Sequence, residues 1–112
     1  MKPQIERIEY RQGMLEEGMK PSDLPVKLLQ RPMITDEILQ SIEQEKIMEL
    51  GGVYGDKEAG DPMEYDHLKI VCSDRTVVIE FFNRGITLLM TDSETNRRIH
   101  RVMCIVDGRF GK

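Results

Sequence analysis

The hydrophobic and polar positions in the C-terminal part of the chain predict four consecutive β-strands. The four runs are rich in β-branched, aromatic and other apolar residues, and short polar stretches typical of turns separate them. Their bounds are 66–73, 76–82, 86–91 and 98–106. In the first run, Leu68 and Ile70 alternate with His67 and Lys69, as in a half-buried strand. The spacing of the runs therefore predicts an antiparallel β-meander.

The last run has a second interpretation, because its apolar residues also share one face of a helix. These residues are Ile99, Val102, Met103 and Val106. The β-branched neighbours Ile105 and Val106, and the polar turn between this run and the one before it, favour a strand in a hairpin. We therefore expect residues 98–106 to be the fourth strand.

Residues 36–50 carry the strongest helix pattern of the chain. Thr35 can accept a hydrogen bond from the first turn, and Asp36 and Glu37 place negative charge at the positive end of the helix dipole. Apolar residues recur along one side of the segment. The two glycines at 51–52 suit the left-handed residue that ends many helices. We therefore expect one main helix here.

The N-terminal part combines a helix-like segment with a proline-broken connection. Residues 3–18 have helical spacing, although Gly13 weakens a helix and a strand at 4–10 is the alternative. Residues 20–34 contain three prolines, which predict an extended, irregular connection. Apolar side chains in or beside this connection need a surface to pack on, and we interpret them as interface residues. They are Met19, Val26, Leu28, Leu29 and Met33.

These patterns predict an α+β fold. It would be a four-stranded antiparallel β-meander packed against one main helix, with an N-terminal helical arm. The length of 112 residues fits a single domain. Within it we expect the arm and connection at 1–34, the helix at 35–50 and the meander at 66–106.

Net charge and the positions of the cysteines indicate which cellular compartment and which classes of binding partner to expect. The net charge is −4, with −6 on residues 1–65 and +2 on residues 66–112. The acidic half repels phosphate, so nucleic-acid binding is disfavoured. Cys72 and Cys104 lie among apolar neighbours, as free thiols do in a reducing compartment. With no apolar signal segment and no stretch long enough to span a bilayer, we expect a cytoplasmic protein with no membrane partner.

The acidic segment 56–67 is the candidate metal site. Carboxylates and an imidazole are acceptable ligands for Mg²⁺, Mn²⁺ or Zn²⁺, and such a site would support a hydrolase or nuclease. The candidate ligands are Asp61, Glu64, Asp66 and His67. Their spacing matches no calcium loop, so a solvated acidic loop is the simpler interpretation.

Candidate catalytic residues are few. Glu80 interrupts the apolar run 76–82, and a carboxylate buried there would have a raised pKa suited to acid–base chemistry. His67 and His100, the two histidines of the chain, are the other candidates. No nucleophile motif or phosphate-binding glycine loop is present, so we expect neither nucleophilic catalysis nor a cofactor.

A basic patch on the last predicted strand is the candidate nucleic-acid site. It consists of Arg97, Arg98 and Arg101. Proteins that read single-stranded nucleic acid add aromatic side chains on which bases stack, and this chain has three Tyr, three Phe and no Trp. Protection of a sheet edge, or a contact between subunits, is therefore the favoured role of the patch.

The function that these patterns favour is non-enzymatic. We expect a small cytoplasmic protein-interaction module, homodimeric, in which the acidic and basic halves of two copies complement one another. A metal-dependent hydrolase or nuclease using the acidic segment is the first alternative hypothesis. Nucleic-acid binding through the basic patch is the second.

Overall fold

The computed structural model describes residues 4–58 and 62–108, which contain five β-strands and three α-helices. The strands are β1 (Ile5–Leu15), β2 (Val26–Gln30), β3 (Gly52–Gly55), β4 (Met63–Cys72) and β5 (Thr76–Phe82). The helices are α1 (Asp36–Gln44), α2 (Arg84–Met90) and α3 (Glu94–Asp107). Short 3₁₀ turns lie at Pro21–Asp23, Arg31–Met33 and Ile47–Glu49.

The strands form one mixed sheet in the order β2-β1-β4-β5-β3. β1 pairs antiparallel with both β2 and β4, and β4 pairs antiparallel with β5. β3 joins the other edge by pairing parallel with β5. The long pairing of β1 with β4 therefore makes the N-terminal segment a central part of the sheet.

The main core lies on one face of the sheet, under α1 and α3. Ile8 of β1 sits opposite Ile70 of β4, and both are fully buried against the helices. The α3 residues Ile99, Val102, Met103 and Val106 complete this core. Ser93 begins α3, because its side chain accepts a hydrogen bond from the Asn96 amide. Gly108 ends it in the left-handed conformation.

On the opposite face of the sheet, the described residues form a small apolar cluster at one corner. Leu24, from the connection between β1 and β2, packs there on Tyr65 and Phe82. Gly13 allows this close approach, since a Cβ at that position would lie 2.8 Å from a Leu24 methyl carbon. Elsewhere this face carries charged side chains, an arrangement that sheets built mainly of antiparallel strands tolerate well.

The fold is α+β, but the predicted four-stranded meander is wrong. Only the first two predicted strands exist, as β4 and β5, while the runs 86–91 and 98–106 lie in α2 and α3. Asn83 takes a left-handed conformation and turns the chain from β5 directly into α2. The helical interpretation that was considered for residues 98–106 is correct, and the apolar face of α3 packs on the sheet.

The N-terminal prediction is also wrong. Residues 5–15 form β1 instead of a helical arm. The alternative, a strand at 4–10, therefore named the correct kind of element, although β1 is longer. The proline-broken connection contains a regular strand, β2. α1 begins after the Thr35 cap as predicted, since the Thr35 hydroxyl accepts a hydrogen bond from the Ile38 amide, but it ends at Gln44.

Candidate functional site

Two polar clusters lie on the two faces of the sheet, and β4 contributes to both. Neighbouring residues of a strand point to opposite faces. Asp66 therefore points towards the helices, whereas Tyr65 and His67 point to the other face. The sheet thus separates two residues that the sequence placed together as metal ligands, Asp66 and His67.

The first cluster is an ion pair buried between the sheet and α2. Asp66 is fully buried, and the Arg84 side chain is 12% exposed. Arg84 Nε donates to Asp66 Oδ2 and Arg84 Nη2 donates to Oδ1, each at 3.1 Å. The Tyr10 hydroxyl also donates to Asp66 Oδ1. Three charge-assisted hydrogen bonds therefore stabilise this carboxylate, and the pair ties the start of α2 to β4.

His100 and Cys104 extend this cluster along α3. Arg84 Nη1 donates to His100 Nδ1 at 2.9 Å, which places the proton of the neutral imidazole on Nε2. Cys104 Sγ lies 3.7 Å from Arg84 Nη1 and 3.6 Å from His100 Nε2. The two α3 residues meet because positions four apart on a helix share a face.

Burial dominates the electrostatics of the first cluster. It raises the pKa of Asp66 above the ordinary value, although Arg84 and the Tyr10 hydrogen bond oppose the shift. Burial and the Arg84 cation together lower the pKa of His100. His100 is therefore neutral at pH 7 and accepts from Arg84. The contacts of Asp66 and Arg84 are made within the protein, so we assign the pair a structural role.

The second cluster joins Glu80, Tyr65 and His67 on the other face. The buried Tyr65 hydroxyl donates to Glu80 Oε2 at 2.6 Å and lies 2.9 Å from His67 Nδ1. Burial, the hydrogen bond to Glu80 and the Glu80 charge raise the pKa of Tyr65. Burial lowers the pKa of His67, with Glu80 opposing. Of the three catalytic candidates, the structure brings together Glu80 and His67, while His100 belongs to the first cluster.

The three predicted metal ligands that the structure describes do not converge. Glu64 Oε1 accepts a hydrogen bond from the Gly85 amide at 2.9 Å, at the start of α2. Asp66 is held by Arg84, and Asp61 lies outside the described residues. Within 4–58 and 62–108, no group of three or more His, Cys, Asp or Glu side chains is arranged to hold a metal ion.

The predicted basic patch lies on α3 instead of on a strand, and each of its three arginines already makes hydrogen bonds within the protein. Arg97 forms ion pairs with Asp92 and Glu94. Arg101 pairs with Glu45 and Glu94, and these hydrogen bonds raise its pKa. The third member, Arg98, donates through Nε to the Glu45 carbonyl oxygen at 2.9 Å. These contacts join α3 to the end of α1, and a phosphate would have to displace them.

The predicted interface residues separate into two groups. Leu29 belongs to the main core, and Met19 packs against the Leu24 corner of the other face. The remaining three have between 42% and 57% of their surface exposed; they are Val26, Leu28 and Met33. We call these three residues the β2 strip.

The most exposed large apolar side chains lie on α2, where the sequence did not place an interface. Leu89 is 87% exposed, Met90 79% and Ile86 45%. Only Thr87 of this helix is buried. These residues were missed because the run 86–91 was assigned to a strand, in which alternate side chains would have faced the core. We call Ile86, Leu89 and Met90 the α2 patch.

Three further observations concern membrane-spanning helices, disulfide bonds and similarity to known proteins. No helix among the described residues is long and apolar enough to cross a membrane. Both cysteines, Cys72 and Cys104, are free thiols. Comparison with protein-family models, curated proteins and solved structures finds no match to this chain.

Proposed function

We propose that the protein is a small cytoplasmic protein-interaction module that self-associates through the α2 patch. The observation that supports this most strongly is the exposure of Leu89 and Met90, at 87% and 79%, side by side on a helix. Contiguous exposed apolar surface on a water-soluble domain marks an interaction site more often than chance exposure does.

A second copy of the chain suits the α2 patch as a partner, because this apolar patch can pack against the same patch of the other copy. Ile86, Leu89 and Met90 have the i, i+3, i+4 spacing that places three side chains on one face of a helix. A two-fold axis would set this face against the same face of the partner, as in most homodimers. Packed antiparallel, the two short helices would also place opposite ends of their dipoles side by side.

Contacts with β4 already fix α2 in place in the single chain. Arg84 ties its first residue to the buried Asp66, and the Gly85 amide donates to the Glu64 carboxylate. Asn83, just before the helix, donates its backbone N–H to the Glu64 carbonyl at 2.8 Å. Because α2 is already fixed on β4, association would order few additional groups, which reduces the entropy that binding loses.

The expected affinity is modest. Burying one fully exposed leucine or methionine side chain stabilises by about 2 kcal/mol, so Leu89 and Met90 of two copies contribute about 8 kcal/mol before costs. Association itself costs at least about 4 kcal/mol. Ile86 is 45% exposed and adds about 0.7 kcal/mol per copy, so the balance is at most about 5.5 kcal/mol, a dissociation constant of about 10⁻⁴ M or weaker. This is the range of a transient dimer.

Sedimentation equilibrium from micromolar to millimolar protein tests the proposal. We expect the wild type to show a reversible monomer–dimer equilibrium and Leu89→Lys to remain monomeric. Leu28→Lys is the matched control, because it places the same charge on the β2 strip, the other exposed apolar surface predicted above. Circular dichroism checks that both variants fold.

Two results would count against the proposal. A wild type that stays monomeric at millimolar concentration would refute self-association. Dimerisation that survives Leu89→Lys but is lost in Leu28→Lys would move the interface to the β2 strip. The hydrolase, nuclease and nucleic-acid hypotheses stay predictions, and among the described residues no arrangement favours them.

A further inference from the structure

A cavity of about 630 Å³ opens beside α1, at the end of the sheet where Ile5 pairs with Cys72. Its wall is mainly apolar. The apolar side chains that line it are Ile5, Leu39, Ile42, Met48 and Cys72. The volume falls within the range of roughly 300–1,000 Å³ that is usual for small-molecule sites.

The local backbone explains why this space is not filled. The pairing of β1 with β4 shifts register between Ile5 and Arg7, so the ladder is irregular at this end of the sheet. α1 ends at Gln44, and Lys46 takes a left-handed conformation with φ of 53° that turns the chain into the 3₁₀ turn Ile47–Glu49. The helix therefore does not continue over the end of the sheet, and Leu39 remains 40% exposed.

Three cations and two carboxylates are among the residues that line this cavity, a net charge of +1. Arg31, Lys46 and Arg75 line it, and none of their side chains makes a hydrogen bond or ion pair with another described residue. Glu43 and Glu49 are the acidic groups that line the same space. The three cations outnumber the two carboxylates and need release no described partner to bind a ligand.

We propose that this cavity binds a small amphiphilic anion, whose aliphatic body packs on the apolar wall and whose carboxylate or similar single anionic group pairs with the lining cations. Apolar walls with a few polar groups at one end are the usual composition of a small-molecule site. An arginine fork and a lysine ammonium are the side chains suited to a carboxylate. The site is separate from the α2 patch and does not depend on it.

Isothermal titration calorimetry with decanoate, below its micelle concentration, tests the proposal. Decyltrimethylammonium is the matched probe, because it has the same chain and the opposite charge. We expect decanoate to bind with a stoichiometry of one per chain and the cationic probe to bind at least about tenfold more weakly. No saturable binding of decanoate, or equal binding of the two probes, would overturn the proposal.

Variants locate the site. Leu39→Asp places a carboxylate in the apolar wall at an exposed helix position and should abolish decanoate binding. Arg75→Ala removes one of the three lining cations and should weaken binding about tenfold. Arg97→Ala removes a distant cation, and Leu89→Lys alters the α2 patch; both should bind decanoate like the wild type. Binding that is indifferent to Leu39→Asp would show that decanoate binds elsewhere and overturn the assignment.

Discussion

Replacing Arg84 by methionine breaks the buried ion pair that fixes α2 on the sheet, together with the Arg84 hydrogen bond to His100. The change keeps an unbranched chain of similar length but removes both hydrogen bonds to the Asp66 carboxylate. The fully buried carboxylate would keep only the Tyr10 hydroxyl as a donor. Removing one partner of a buried ion pair costs about 3–5 kcal/mol. We therefore expect a loss of that size from the free energy of unfolding at pH 7.

The loss should shrink as the pH falls. Burial already raises the pKa of Asp66 above its ordinary value of 3.8, and Arg84 is the largest influence that opposes the shift. Arg84→Met removes this opposition, so the pKa of the folded state rises further. A carboxyl whose folded pKa is raised favours the folded state below its unfolded pKa, and this contribution is lost as the pH rises through the folded pKa. The variant should therefore approach wild-type stability towards pH 4.

Urea unfolding, followed by circular dichroism at pH 7 and again near pH 4.5, measures both effects. Arg97→Met is the matched control, because Arg97 is an exposed arginine whose ion pairs lie at the surface. We expect it to leave the unfolding midpoint close to that of the wild type at both pH values. Equal losses for the two variants, or a loss in Arg84→Met that does not change with pH, would refute the assignment of Asp66 as a buried carboxylate dependent on Arg84.

Two further predictions concern the backbone and the second cluster. Gly55 and Gly18 both have φ near +85°, but a Cβ at Gly55 would lie 1.9 Å from the Phe82 carbonyl oxygen, whereas at Gly18 it meets nothing within 4 Å. In urea unfolding, Gly18→Ala should therefore cost about 1 kcal/mol and Gly55→Ala clearly more; equal costs would contradict the close pairing of β3 with β5. Glu80→Gln removes the charge that opposes the effect of burial on His67, so the pKa of His67 should fall further in an NMR titration. A rise, or no change, would contradict the placement of Glu80 opposite His67 in the pairing of β4 with β5.

The strand–helix errors have a specific physical origin. The stripe in α3 formed by Ile99, Val102 and Val106 contains β-branched residues, which favour strands when packing is ignored. Tertiary packing favours the helix instead, because burying this stripe against the sheet completes the main core. The decisive local signals were the helix cap at Ser93 and the stop at Gly108, both present in the sequence. Given more weight than β-propensity, they would have indicated the helix.

The central position of β1 was harder to infer. Its buried residues Ile8 and Tyr10 alternate with charged side chains, which is a strand pattern, but only over a short stretch. Pairing with β4 stabilises the strand, and local spacing does not show a partner as distant along the chain as Ile70 is from Ile8. The sequence signal for α1 was by contrast entirely local, in its Thr35 cap and acidic first turn, and the helix begins as predicted.

The candidate site shows the same division between local and long-range information. Glu80 and His67 could be nominated from the sequence because a polar residue in an apolar run is conspicuous. Their contact runs through the Tyr65 hydroxyl, which depends on the cross-strand register of β4 with β5. Arg84 was placed in a hairpin turn, so its contact with Asp66 could not be foreseen.

A concentration series of two-dimensional amide NMR spectra tests self-association through α2 most directly. From micromolar to millimolar protein, the amide signals of residues 84–91 should shift progressively along a single binding curve with a dissociation constant of about 10⁻⁴ M. The signals of β2, residues 26–30, should stay in place, and Leu89→Lys should abolish the shifts. Shifts confined to β2, or spectra that do not change with concentration, would contradict the proposed interface.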